Sequence, residues 1–410
     1  MRGYLLESHF LVTNPSAKRR PAQAGKFDAV PMLDLSRQYH QVREEVLRAV
    51  ERVCASQHFI LGEEVAALEK EIAAFTEAGH AVACASGTDA LWLALLAAGV
   101  QPGDAVVTTA FSFFASASAI VRIGARPVFV DIDPQSFNLD PADLAFKLKA
   151  HGSRVKAILP VHLYGQCADM DGIGALASQF DVPVLEDAAQ AIGATWNKQR
   201  AGSIGLAAAF SFYPTKNLSA YGDAGLVSTR NPEWAERMRK LRNHGSPERY
   251  LHTEVGWNCR MDAMQAAVLR VKLPYVEQWN QKRRERAVVY DRLLEQSGLV
   301  QRGSCFPTND APVVLPHISA HAHHVFHQYV LRVNRRDELR AFLEERRIST
   351  EVYYPIPLHL QPCFEYLGYR VGDLPGSELA AKQVLALPMF AELTTDEQNW
   401  VIENIAEFYQ

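Results

Sequence analysis

The sequence predicts an α/β protein: a large domain with a mixed, mostly parallel sheet flanked by helices, followed by a smaller C-terminal α+β domain. Three observations lead there. From about Val30 onward, helical periodicity alternates with short apolar runs of strand length. Six runs, "HAVACAS", "DAVVTTA", "RPVFVDI", "VKAILPVHL", "VPVLED" and "AAAFSF", are mostly separated by helical stretches, as crossover helices separate the strands of a parallel sheet. Beyond "RMDAMQAAVLRVKLPYVEQWNQKRRERAVVYDRLLEQSG" the composition changes, and strands such as "HQYVLRV" mix with helices such as "RRDELRAFLEERRI". The expected division is a tail over residues 1–29, a large domain over 30–280 and a small domain over 281–410.

The elements follow in order. In the first 29 residues, Lys18, Arg19 and Arg20 between Pro15 and Pro21 read as a mobile basic tail. Its apolar run is broken by Glu7, Ser8 and His9, so a secretory signal is not expected. "SRQYHQVREEVLRAVERVCAS" has apolar residues at helical spacing, with Ser36 as its expected N-cap. "GEEVAALEKEIAAFTEA" is a second amphipathic helix, and the strand runs come next. Pro274 is expected to break the long helical run that ends the large domain.

Composition narrows the function. The 410 residues are 48% apolar and 21% charged, as in an ordinary soluble protein. A net charge of −4 gives no reason to expect a nucleic-acid partner. No apolar run has the length of a membrane span, so no membrane association is expected. The six cysteines are scattered without a C-x-x-C pair, which fits a reduced, cytoplasmic protein and predicts no metal site.

Three strand ends carry the chemistry, because an open α/β sheet binds its ligand beyond the carboxyl ends of its strands. The first ends in "CASGTDALWLALLAAG": Ser86-Gly87-Thr88 read as a turn, with a helix from Asp89. A helix N-terminus offers unpaired N–H groups to a phosphate, and glycine permits close approach. A plain strand–turn–helix junction reads the same. The second, "VPVLEDAAQA", ends in Glu186 and Asp187; a carboxylate there either pairs with a cation in the site or caps a helical "AAQA". The third, "AAAFSFYPTKN", places Ser211 in the strand and Lys216 beyond it. An enclosed lysine loses basicity and becomes an amine nucleophile, whereas a solvated loop lysine does nothing. Together, a phosphate cradle, a carboxylate and a nucleophilic amine describe a pyridoxal 5′-phosphate (PLP) site.

The chain also resembles the DegT/StrS-type sugar aminotransferases, fold-type I PLP enzymes, from about Pro31 to the C-terminus. The motifs are "FILGEEVAALEKEIAAF", "ASGTDALWLAL", "PVHLYGQCADMD", "LEDAAQAIGA", "FSFYPTKNLSAYGDAGLVST", "GWNCRMDAMQAAVLRVKL" and "YYPIPLHLQPCF". The resemblance implies that Lys216 is the Schiff-base lysine and proton carrier and that Asp187 pairs with the pyridine nitrogen. It places Gln190 near the ring hydroxyl and Phe113 against the ring. Gly87, Thr88 and Ser211 match phosphate contacts, and Asn258 in "GWNCR" matches a contact made across a homodimer interface. His162, Tyr164 and His359 match positions that line the site or pack behind it.

The same resemblance implies a nucleotide-linked keto-hexose as amine acceptor, L-glutamate as donor and 2-oxoglutarate as its product. "YPTKNLSAYGD" and "NCRMDAMQAAVLRVKL" are similar to variants in enzymes that aminate C3 of a dTDP-3-keto-6-deoxyhexose. Family members that remove a hydroxyl instead carry histidine in place of the lysine, so Lys216 favours transamination over the alternative, a PLP-dependent sugar dehydratase. A non-enzymatic PLP-binding regulator is the other alternative. Ser219 stands where relatives often have glycine and is expected to alter loop packing only.

Overall fold

The computed structural model describes residues 28–301 and 303–410, and it starts the fold where Val30 enters. Val30 is fully buried and bridges to Ile348. The expected tail lies outside the described residues except for its last two positions. Helix α1 (Leu35–Ser56) is capped by Asp34, not Ser36: Asp34 Oδ1 accepts the Ser36 N–H at 3.0 Å and its hydroxyl at 2.5 Å. The carboxylate one residue before the helix is the stronger acceptor, so Ser36 becomes the donor.

After α2 (Glu63–Phe75), strand and helix alternate as β1 (His80–Cys84), α3 (Gly87–Ala97), β2 (Ala105–Thr109), α4 (Ala115–Arg122), β3 (Arg126–Val130), α5 (Pro141–His151), β4 (Val155–Leu159), α6 (Met170–Phe180) and β5 (Leu185–Asp187). A short hairpin, β6 (Thr195–Trp196) and β7 (Gln199–Arg200), precedes β8 (Ala207–Ser211) and β9 (Gly225–Thr229). All six strand runs read from the sequence form strands. Strands β3-β2-β4 pair in parallel, and β1-β9-β8-β5 form a second set. Parallel bridges Ile158–Val184 and Val161–Asp187 join the two into one sheet. Within it β9 runs antiparallel to both of its neighbours, β1 and β8. The sheet is therefore mixed and mostly parallel.

Burial explains its composition. Ala81 and Ala83 of β1 point into one apolar cluster, and Val82 and Cys84 into another. Ala208 and Phe210 of β8 join the first, Ala207 and Ala209 the second. Side chains alternate across a strand, so a sheet covered on both faces needs continuous apolar runs. These strands have them.

Beyond the sheet come α7 (Pro232–Leu241), α8 (Ala263–Lys272) and α9 (Val276–Gln296), the last two separated by a short turn containing Pro274. Helix α9 joins the two parts of the molecule. Trp279 packs with Val42, Val46 and Val268 near its start, whereas Ala287, Tyr290 and Leu294 enter the core of the C-terminal part. That part holds β10 (Val313–Val314), β11 (Ala322–His323), β12 (Tyr329–Val333), α10 (Arg336–Glu345), α11 (Pro375–Gln383), β13 (Val384–Leu387) and α12 (Thr395–Tyr409). Strands β10-β12-β13 form its antiparallel sheet, and β11 pairs back onto β6. Among the described residues, no helix is long and apolar enough to cross a membrane and no cluster of ligating side chains could hold a metal.

Candidate active site

Four strand ends, those of β1, β2, β5 and β8, open toward one region. At the end of β1, Ser86 takes extended backbone and its hydroxyl accepts the Asp89 N–H at 3.1 Å. Helix α3 therefore begins at Gly87, two residues earlier than the sequence suggests. The N–H groups of Gly87 and Thr88 lie ahead of its first hydrogen-bonded turn, where a phosphate would meet them. Asp89, which would oppose an anion, is engaged by Arg122 at 2.6 Å. Glycine is required at two points here. A Cβ on Gly87 would stand 2.6 Å from Ser211 Cβ, and one on Gly225 would stand 2.2 Å from Ser86 O. Gly87 and Ser211 are thus in contact, and Thr88 follows in the same turn.

Strand β5 delivers Asp187, which is 4% exposed. Ser116, in the first turn of α4, donates to Asp187 Oδ2 at 2.7 Å, and the Ala189 N–H reaches Oδ1 at 3.2 Å. No helix follows: residues 188–190 form a turn, so Asp187 is not a helix cap. Burial raises its pKa above the usual carboxylate range, and the Ser116 hydroxyl draws it part of the way back. A buried carboxylate with so little compensation is suited to a cationic partner.

Lys216 follows β8 in a loop closed by hydrogen bonds from Lys216 N to Tyr213 O (2.8 Å) and from Ala220 N to Phe212 O (2.8 Å). The side chain keeps some exposed surface in the cleft but is otherwise surrounded by protein. Burial pulls the amine down to about 8, partly offset by the charge of Asp187. The structure therefore brings Lys216 and Asp187 within electrostatic reach of each other. His327 lies close by, pushed well below its usual range by burial and then by the Lys216 charge.

Gln190 accepts the Tyr164 N–H at 2.6 Å and donates to the Tyr354 hydroxyl at 3.2 Å. The Tyr354 ring lies 6.2 Å from that of Phe113, which is 58% exposed, so Phe113 has a free face. Tyr354 comes from the C-terminal part and was not singled out in the sequence; neither was Ser116. Nothing in "YYPIP" or "FASAS" marks them, because their roles come from contacts across the fold.

For three expected residues the structure shows near-complete burial and packing partners. His162 is fully buried; its Nδ1 accepts the Ala168 N–H at 3.1 Å, which leaves Nε2 to donate to Glu186 at 2.9 Å. The Tyr164 hydroxyl is taken by the Tyr353 carbonyl. His359 is 1% exposed and bonds Glu378 at 3.2 Å. Asn258 is exposed and bridges Asn243, with its neighbour Cys259 accepting the Ala85 N–H at 3.0 Å. Helix α8 starts after Asp262, so Asn258 does not cap it.

The cradle at Gly87, the buried Asp187 and the lowered amine of Lys216 are donors of the kind that PLP needs: N–H groups for a phosphate, an anion for a pyridinium and an amine for an aldehyde. Comparison with known proteins agrees. The model of the DegT/DnrJ/EryC1/StrS aminotransferase family matches residues 40–406. The chain belongs to this family. Members of the DegT/DnrJ/EryC1/StrS family are PLP-dependent aminotransferases, and this chain is one of them. It is 52% identical over 381 residues, 93% of this chain and 99% of the relative, to the "Pleiotropic regulatory protein" of Geobacillus stearothermophilus. It is 42% identical to the dTDP-3-amino-3,4,6-trideoxy-alpha-D-glucose transaminase of Streptomyces venezuelae, covering 92% of this chain and 96% of that one. Its fold matches a solved S. venezuelae DesV in complex with a ketimine intermediate, at a TM-score of 0.86, 42% identity and coverage of 93% and 99% of the two chains. The large mixed sheet with a smaller C-terminal part is the fold-type I arrangement of this family.

Proposed function

We propose that this DegT/DnrJ/EryC1/StrS aminotransferase moves an amine from L-glutamate to C3 of a nucleotide-linked 3-keto-hexose, with a dTDP-linked 6-deoxyhexose as the favoured acceptor. The observation that carries the chemistry is the pair of a lowered lysine amine, Lys216, and a buried carboxylate, Asp187. The substrate class rests on relatives. The S. venezuelae transaminase acts on a dTDP sugar, whereas a relative at 42% identity from Acidithiobacillus ferrooxidans is a UDP-N-acetyl-3-dehydro-alpha-D-glucosamine 3-aminotransferase. Both names place the amine at C3, so the carbon has wider support than the nucleotide.

PLP, when bound, supplies an aldehyde that exchanges amines and a ring that accepts the electron pair left by proton removal. Lys216 would hold the cofactor through its amine and, once freed by an incoming amine, would carry the proton between the exchanging carbons. An amine near 8 is suited to that task, since about a tenth of it is neutral at pH 7, against well under a hundredth for an ordinary lysine. Asp187 would hold positive charge on the ring nitrogen. Gly87, Thr88 and Ser211 would take the phosphate, Gln190 would serve the ring hydroxyl, and Phe113 would offer its open face to the ring. Lys216 favours transamination over dehydration, since the dehydratases that the sequence resembles carry histidine at that position. The regulatory name of the Geobacillus relative does not displace this reading, because an amine and carboxylate so placed are a full set of catalytic groups.

The working form is a homodimer in which Asn258 reaches the partner's cofactor phosphate. The support is a set of exposed apolar side chains on neighbouring segments of the sequence, Tyr250 at 82%, Val255 at 78% and Trp257 at 40% exposed, together with Phe59 and Ile60, which bond and bridge to the start of α8. The compartment is the cytoplasm, consistent with six free cysteines.

The test is direct. Purified enzyme with PLP, L-glutamate and a dTDP-3-keto-6-deoxyhexose should yield 2-oxoglutarate and a sugar nucleotide carrying an amine by mass spectrometry. Lys216→Ala should fold and yield neither. Failure to release 2-oxoglutarate with any 3-keto sugar nucleotide, dTDP or UDP, would overturn the proposal.

A further inference from the structure

A second lysine is buried against the loop that carries the first. Lys272 is the last residue of α8 and is 1% exposed, and the charge of Glu392 reaches it. Its Nζ donates to Ser219 O at 2.7 Å and Ser219 Oγ at 2.6 Å. The rings of Tyr221 and Trp279 lie 5.3 Å and 6.0 Å from it. A lysine is costly to bury, and burial draws this one down to about 7, partly offset by the charge of Glu392. A methionine would fill the same space without that cost but could not bind two oxygens. The polar contacts of the Lys272 amine are thus to Ser219.

Ser219 lies three residues beyond Lys216. The intervening loop is held from two sides. On one, Asn217 donates to Asn280 Oδ1 at 2.7 Å and to Val325 O at 3.2 Å, and shares a hydrogen bond of 3.1 Å with His327 Nδ1. On the other, α8 grips the loop twice. Lys272 takes Ser219, and Gln265 accepts the Tyr221 N–H at 2.9 Å while donating to Tyr221 O at 3.4 Å. Asn217 through Ala220 are all buried as a result, whereas Tyr213 and Thr215 on the other side of Lys216 are exposed. The direction of the Lys216 side chain is thus fixed from its C-terminal flank.

We propose that Lys272 is a positioning residue for Lys216, acting through Ser219 to hold the loop that aims the reactive amine. This rests on the reading of Lys216 as the PLP-binding amine. The serine at 219, expected from the sequence to affect packing alone, then has a functional consequence because its hydroxyl is the second acceptor for Lys272.

The experiment uses the full-length apo protein and PLP. Three quantities are read well below the melting temperature: total PLP bound, the rate at which borohydride-reducible covalent PLP accumulates, and hydrogen exchange of the amides from Asn217 to Tyr221. Lys272→Met should leave total binding within about two-fold, since the phosphate contacts are untouched. Covalent uptake should slow about ten- to a hundred-fold, the scale on which a misplacement of about 1 Å acts, and exchange in the loop should rise. Ser219→Ala, which keeps the carbonyl contact, should slow uptake by a smaller factor and serves if Lys272→Met does not fold. A purely structural Lys272 would lower the melting temperature and leave the uptake rate unchanged, and that result overturns the proposal. No covalent uptake by the unmodified protein would instead remove the reading of Lys216, and this role with it.

Discussion

Substituting Gly87 by alanine tests the phosphate cradle at its tightest point. The added Cβ would stand 2.6 Å from Ser211 Cβ, 3.0 Å from its Oγ and 3.2 Å from its Cα. Non-bonded carbons prefer about 3.5–4.0 Å, so one partner must retreat by about 1 Å. Ser211 is poorly placed to move, because it ends β8 in register with Gly225 of β9. Gly225 is itself pressed against Ser86 O. The start of α3 must shift, and it carries the N–H groups of Gly87 and Thr88 away from the phosphate position. Hydrogen bonds to charged groups are worth about 1.5–3 kcal/mol each. Losing one therefore weakens PLP binding about ten- to 150-fold. The packing strain itself costs about 1–3 kcal/mol of stability.

The assay is titration of apo protein with PLP and, separately, with pyridoxal, which lacks the phosphate. Gly87→Ala should weaken PLP binding and leave pyridoxal binding within about two-fold. Adding Ser211→Gly removes the clashing Cβ and Oγ and should restore melting temperature without restoring full PLP affinity, since the serine hydroxyl is lost with them. Equal loss for both ligands would show that the strain reaches the ring pocket. An unchanged PLP affinity would show that no phosphate sits at α3. Either result refutes the reasoning.

Other expectations follow from the charges and from the exposed segment around Asn258. Only the neutral Lys216 amine reacts, so covalent uptake of PLP should climb about ten-fold per pH unit below about 8 and level off above it; a flat profile contradicts the lowered amine. In Asp187→Asn the carboxylate that holds the Lys216 proton is gone, so the plateau should begin at lower pH. The same variant should lose more than about a hundred-fold in turnover while its melting temperature changes little, measured on one preparation; a cap-type carboxylate would give about 1 kcal/mol of destabilisation and near-normal rates. Mixing Lys216→Ala chains with Asn258→Ala chains under proven subunit exchange should restore activity above either parent, and activity equal to the sum of the parents would make Asn258 structural.

Much of the sheet was legible because a strand buried on both faces must be apolar along its whole length, as β1 and β8 are. Strand β9 was not. "GLVST" is short, and its place between β1 and β8 is set by pairing with both, not by its own composition. Helix ends were legible to within a residue or two: Asp34 took the cap given to Ser36, and α3 starts at Gly87 because Ser86 caps Asp89. In the candidate site, residues at strand ends could be read because topology places strand ends together. Ser116, Tyr354 and Lys272 could not, since each acts on a residue more than 50 positions away, and one sequence carries no record of such contacts.

The two carboxylates ending β5 show how one backbone rule divides structural from chemical work. Glu186 and Asp187 are adjacent, so the pleat sends their side chains to opposite faces of the sheet. On its side, Glu186 receives four hydrogen bonds, from His162 Nε2 (2.9 Å) and the N–H groups of Gly202 (3.0 Å), Ile204 (3.0 Å) and Gly205 (2.8 Å). A carboxylate has about four lone-pair sites, so none is left for a ligand. Gly205 is needed for this, since a Cβ there would meet Val184 O at 2.7 Å. Asp187, on the other side, receives only Ser116 and Ala189 among the described residues and stays raised in pKa. The satisfied carboxylate fixes the strand end, and the His162 N–H bonds to Asp187 O at 3.0 Å, tying the same histidine to both. Asp187, with about two acceptor sites still open, is left to meet a cation. His162 is thus a brace for Asp187, and its burial follows from that position.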